Sequence, residues 1–184
     1  MKYMKLHQPI RNKTIVILCI CFLIILALFI YICFHPIIIH GQNRYPCCSV
    51  SLSDDRFNPI EAFDFTRGDN RIIIYTNWAD IRFLPKGMRR WTVLESKDNS
   101  VIETVRKNFV FKRISDEIVE TTDYDCRIFF LKDGKLVFSC KMEVEESISL
   151  FFQNTGWVFA ENYDELVSSF SSLKPVPFPV VKIK

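Results

Sequence analysis

The run from Ile15 to Phe34 contains no charged residue, and Lys2, Lys5, Arg11 and Lys13 precede it. Its 20 residues, at a helical rise of about 1.5 Å, make a rod of about 30 Å, the thickness of a bilayer's hydrocarbon core. The run is rich in Ile, Val and Phe, which is unusual for a soluble helix. In lipid this matters little, because every backbone group must bond within the segment and helix is the available solution.

Two other readings compete with a membrane anchor. A buried core helix of this length would be expected to show a polar face, and none is present. A cleaved signal peptide has a shorter apolar region, about 7–15 residues, ending at a small-residue cleavage site. Here the run continues into Phe34-His35-Pro36-Ile37-Ile38-Ile39-His40 with no Ala-x-Ala pattern. An uncleaved anchor over residues 14–36 is expected, with residues 1–13 cytoplasmic by the positive-inside rule. Membrane lipid is thus the first expected partner. The expected location is the cytoplasmic (inner) membrane, with the C-terminal domain periplasmic or extracellular. The residues after the anchor contain no Asn-x-Ser/Thr site, which leans toward a bacterial envelope.

The anchor's flank also explains the alkaline pI of about 8.4. The chain has 24 Lys and Arg, four of them before Thr14, which leaves 20 against 21 Asp and Glu in the rest. The exported part is therefore near neutral, and a nucleic-acid partner is not expected.

Residues 37–58 read as a stalk, 59–173 as one exported domain, and 174–184 as a Pro-rich extended tail with prolines at 175, 177 and 179. Strand signals dominate the domain. Arg71–Trp78, Trp91–Glu95, Phe109–Ile114, Ser147–Phe152 and Gly156–Ala160 are rich in β-branched and aromatic residues. Cys126–Cys140 reads as a hairpin around Asp133-Gly134. Two helices have start signals: a capping box at Ser100-Val-Ile-Glu103, and Asn162 with Glu165 three residues later. Pro59 to Phe65 would add a short helical turn. The expected fold class is α+β: an N-terminal single transmembrane helix, then a small, mainly antiparallel sheet domain with two or three short helices.

Seven cysteines divide into Cys19, Cys21 and Cys33 in the anchor and Cys47, Cys48, Cys126 and Cys140 after it. A three-residue hairpin loop with Gly134 left-handed would pair Leu131 with Lys135 and set Cys126 opposite Cys140. That register predicts a Cys126–Cys140 disulfide; a two-residue loop shifts it by one. Cys47 and Cys48 read as juxtamembrane thiols or as links to another chain.

The chemistry is sparse. His7, His35 and His40 are the only histidines, and none lies in the expected domain, which argues against Ser-His-Asp, Cys-His and His-zinc sites within it. With five glycines in all there is no Gly-rich phosphate loop. The acidic clusters Asp123-Tyr-Asp125 and Glu143-Val-Glu-Glu146 read as solvated strand faces, with a carboxylate enzyme or metal site as the alternative. Arg67-Gly68-Asp69 reads as a turn before a strand, and Trp78, Trp91 and Trp157 as largely core. Arg82, Lys86, Arg89, Arg90 and Trp91 form the one basic cluster with an aromatic neighbour, and are the expected interface.

No catalytic residue, cofactor or metal is assigned. The expectation is a tethered, non-enzymatic module that binds another protein, with the layout of a membrane-anchored immunity or inhibitor protein. A subunit of an envelope secretion or conjugation assembly is the alternative. A carboxylate-based enzyme ranks last.

Overall fold

A computed structural model describes residues 8–34, 37–40, 56–76, 84, 86, 93–113, 126–144, 147–152, 156–176 and 180–183. The first element is the helix α1 (Gln8–Phe34). Strands β1 (Ile37–His40), β2 (Arg56–Phe57), β3 (Arg71–Tyr75) and β4 (Val93–Ser96) follow. Helix α2 (Asn99–Asn108) leads to β5 (Phe111–Lys112), β6 (Arg127–Lys132), β7 (Lys135–Val144), β8 (Ile148–Phe152) and β9 (Gly156–Ala160). Helix α3 (Tyr163–Phe170) and strands β10 (Lys174–Pro175) and β11 (Val180–Ile183) close the chain. The fold is α+β, as its sequence implies.

Nine strands form one antiparallel sheet in the order β10-β4-β3-β6-β7-β8-β9-β5-β2. Both described edge strands, β10 and β2, are two residues long. β1 and β11 pair separately, in parallel, so the first described residues after α1 lie beside the last described residues of the chain.

The period-two alternation of the strands sorts their side chains onto two faces. One face carries Ile72, Ile74, Ile128, Phe130, Phe138, Met142, Leu150 and Val158, and packs against Ile102 and Val105 of α2 and Leu166 and Phe170 of α3. The other carries Ile73, Tyr75, Val93, Phe129 and Leu131, gathered around Ile183 of β11. The apolar runs Ile72-Ile73-Ile74 and Ile128-Phe129-Phe130-Leu131 are thus strands buried on both faces.

Several sequence expectations shift by a residue or two. Asp98, rather than Ser100, caps α2: its Oδ1 accepts from the Ser100 backbone N–H at 2.8 Å and from the Ser100 hydroxyl at 2.7 Å. A carboxylate at the positive end of the helix outcompetes a hydroxyl as acceptor, and the Ser100 side chain becomes a donor to it. Asn162 does precede α3, but its amide reaches Glu165 at 3.4 Å rather than capping a backbone N–H. Phe109 ends α2 instead of beginning a strand, its N–H bonded to the Arg106 carbonyl at 3.2 Å. The helical turn expected over Pro59 to Phe65 is a pair of hydrogen-bonded turns at Pro59 to Ala62, with the Glu61 N–H on the Asn58 carbonyl at 3.2 Å and the Phe63 N–H on the Ile60 carbonyl at 3.1 Å. Both ends of the 37–58 segment, and the start of the 174–184 tail, are strands.

The hairpin register differs most. Asp133 and Gly134 both have positive φ, 50° and 73°, giving a two-residue turn that pairs Lys132 with Lys135. A bulge after Phe130 then shifts the ladder once more, so Cys140 faces Ile128. The Cys126 carbonyl accepts from the Met142 N–H at 3.0 Å. The predicted Cys126–Cys140 disulfide does not form: each cysteine is a buried thiol, and Cys140 Sγ donates to the Phe151 carbonyl at 3.1 Å. Two one-residue shifts leave both cysteines on one face but set them on a diagonal instead of directly opposite.

Arg67-Gly68-Asp69 docks on this turn. The Asp69 N–H donates to Asp133 Oδ1 at 3.2 Å, and the Gly134 N–H to the Asp69 carbonyl at 3.3 Å. Gly68 has φ of 97°, and a Cβ there would overlap the Asp133 carboxylate. The buried Asn70 amide ties the same loop to the Phe65 carbonyl, the Arg67 carbonyl and Asn99 Oδ1 at 2.9–3.0 Å. The tripeptide is a packed corner of the fold.

Candidate functional site

At the sheet edge where β2 meets β5, the C-terminal end of α2 frames an open cleft of about 370 Å³. Arg56, Phe57, Asn58, Glu61, Arg106, Lys107 and Val110 line it. Its shape comes from local turn chemistry. Asn58 precedes Pro59, and its Oδ1 accepts the Ile60 N–H at 3.0 Å, closing an Asx turn. The same side chain donates through Nδ2 to the Arg106 carbonyl at 2.7 Å, a second bond beside that from the Phe109 N–H. One asparagine thus ties the 56–61 segment to the helix end. Phe57 anchors the floor, its ring 5.9 Å from Phe152 in an edge-on contact.

The cations of the cleft are partly committed. Arg56 Nε donates to Glu161 Oε2 at 2.7 Å, in an exposed ion pair. Arg106 forks onto Glu103 one turn earlier, through Nε at 2.9 Å and through Nη2, and also donates to the Glu61 carbonyl at 3.3 Å. The hydrogen bond from Arg106 holds the Glu103 carboxyl below the usual carboxylate range, and Glu103 reciprocally raises the Arg106 guanidinium. Lys107 leaves a positive charge at the rim. Among the described residues, the lining offers hydrogen-bond donors, one carboxylate and apolar ground, and no Ser, Thr, Cys or His.

The Glu103–Arg106 pair has a pH signature. A carboxyl whose folded-state pKa is depressed stabilises the fold fully above its unfolded value, here 4.5, and loses that contribution as pH falls through the folded value. Acidifying from about pH 7 to about pH 3 is therefore expected to lower the thermal midpoint of Glu103→Gln less than that of the wild type. Equal losses would remove the pair from the acid limb.

Of the expected interface, Lys86 is exposed, whereas Arg82, Arg89, Arg90 and Trp91 lie outside the described residues. Trp78, Cys47, Cys48, Asp123, Asp125, Glu145 and Glu146 lie outside them as well. Glu143 sits on β7 and accepts from Ser149 Oγ across the ladder at 3.4 Å. Trp157 is buried, packed on Phe151 with ring centroids 5.3 Å apart. Among the described residues, no three His, Cys, Asp or Glu side chains converge to hold a metal. Sequence reasoning missed the cleft. Its local signal was Asn58-Pro59, a turn-starting dipeptide placed at the end of a stalk.

No family model, no curated protein and no solved structure matches this chain.

Proposed function

We propose that this chain is a single-pass membrane-anchored protein whose α+β domain binds another protein outside the cytoplasm, in the manner of an immunity or inhibitor protein. The observation that carries the reading is α1. Lys13–Cys33 is 21 residues long and apolar enough to cross a membrane, and none of it is buried against the rest of the chain. Side chains such as Phe22, Leu23 and Ile25 are 61–65% exposed, an arrangement that water would strongly disfavour and lipid would not. The basic flank orients the N-terminus toward the cytoplasm. A tether keeps a binding domain at high effective concentration beside a target that acts at the same membrane. The 56–61/α2 cleft, with its donors and apolar floor, supports binding rather than chemistry.

The test is affinity capture with the full-length chain from solubilised membranes of its own host, followed by reconstitution with each captured protein. One stoichiometric soluble partner, whose activity falls on binding, is the expected result. Co-purification of several membrane components would favour an envelope assembly instead. An activity abolished by neutralising Asp123, Asp125, Glu143 and Glu145 would overturn the binding reading in favour of a carboxylate enzyme.

A further inference from the structure

We infer that the β1–β11 ribbon lies on the bilayer surface and seats the domain on the membrane, an inference that rests on α1 being the anchor. The ribbon begins three residues after the helix ends at Phe34. Three extended residues reach about 11 Å at most. The polar zone on each side of the hydrocarbon core is about 5–8 Å thick, so Ile37 starts in or next to it.

The ribbon's two faces differ in a way that fits this location. In the parallel register Ile37 lies beside Val180, and Ile39 beside Lys182. Aligned and alternate residues share a face, so these four side chains form one surface. All four are exposed, with Ile37, Ile39 and Val180 at 47%, 48% and 45%. The opposite face carries Ile183, which is 3% exposed and packed among Ile73, Tyr75, Val93, Phe129 and Leu131. Arg71 Nη1 further pins the ribbon by donating to the Lys182 carbonyl at 3.3 Å.

A ribbon held to the domain through Ile183, with three exposed aliphatic side chains on its other face and next to a membrane span, is suited to the lipid interface. Lys182 is the remaining member of that face, and a lysine there can lay its stem on the acyl boundary and its ammonium among phosphates. Ile183 packs on the sheet face opposite α2 and α3, so seating the ribbon's outer face on lipid presents the helical face away from the membrane. The tail after α3 thereby acts as a clamp that fixes the domain's orientation close to the surface, in place of a free stalk.

The test uses the full-length wild-type chain in phosphatidylcholine–phosphatidylglycerol vesicles containing a lipid with a diazirine near its glycerol backbone. After illumination and digestion, adducts are mapped by mass spectrometry. Adducts are expected on α1, on the peptide containing Ile37–His40 and on the peptide containing Val180–Ile183. In an Ile39→Asp/Val180→Asp variant, adducts on the latter two are expected to fall several-fold while those on α1 persist. Labelling confined to α1 would overturn the seated ribbon and leave the anchor intact. Absence of labelling on α1 would overturn the anchor, and the ribbon inference with it.

Discussion

Phe130→Ala is expected to lower the unfolding free energy of the domain by about 3–5 kcal/mol, the range for removing a fully buried aromatic ring. Phe130 is 0% exposed and stands at the centre of the larger core. Its ring lies 5.3 Å from Phe109, 5.7 Å from Phe65 and 6.1 Å from Phe138. Those three rings come from the end of α2, the loop before β3 and strand β7, so no single element can move to refill the space. With a urea m-value of about 2 kcal/mol/M, the midpoint should fall by about 2 M. Phe151→Ala serves as the contrast. Phe151 is half-buried on the other sheet face and packs chiefly on Trp157, so its loss should be clearly smaller. A Phe130→Ala shift no larger than that of Phe151→Ala would show that the aromatic cluster does not hold the helices to the sheet.

That cluster also shows what was legible in the chain. The strands could be found because β-branched and aromatic residues concentrate in them, and the helices because Ser100-x-x-Glu103 and Asn162-x-x-Glu165 lie at or within two residues of their starts. The uninterrupted apolar runs at 72–74 and 128–131 have the pattern of strands covered on both faces. They carried no information on what covers them. On the second face that cover includes Ile183 of β11, which follows β6 by about 50 residues, and packing across such separations leaves no local pattern.

Register failed for a similar reason. Asp133-Gly134 signalled a hairpin, but the choice between a two- and a three-residue loop, and the bulge after Phe130, depend on how Phe138 meets Phe109 and Phe130 in the core. The cysteine pairing was inferred from that register and fell with it. The cleft was hidden more deeply, because Asn58 and the Arg106 carbonyl come together only once β2 has joined the far edge of the sheet.

Leu23→Arg combined with Leu26→Arg is expected to release the protein from the membrane while leaving its domain folded. Both residues lie near the middle of the 21-residue span, where an arginine is disfavoured by about 2.5–3.5 kcal/mol and a leucine favoured by about 0.5. Two such exchanges change the insertion free energy by about 6–8 kcal/mol, roughly four to six powers of ten in the partition. The double variant should move from the carbonate-resistant pellet to the soluble fraction. Its urea midpoint should match the wild type, because no side chain of the span is buried in the domain and distant sites contribute independently. Phe130→Ala should behave in the opposite way, staying in the pellet with a lowered midpoint. The crossed pair of results separates address from fold in one experiment. A double variant that still pellets after carbonate would remove α1 as the anchor, and a double variant with a lowered midpoint would mean that α1 packs on the domain after all.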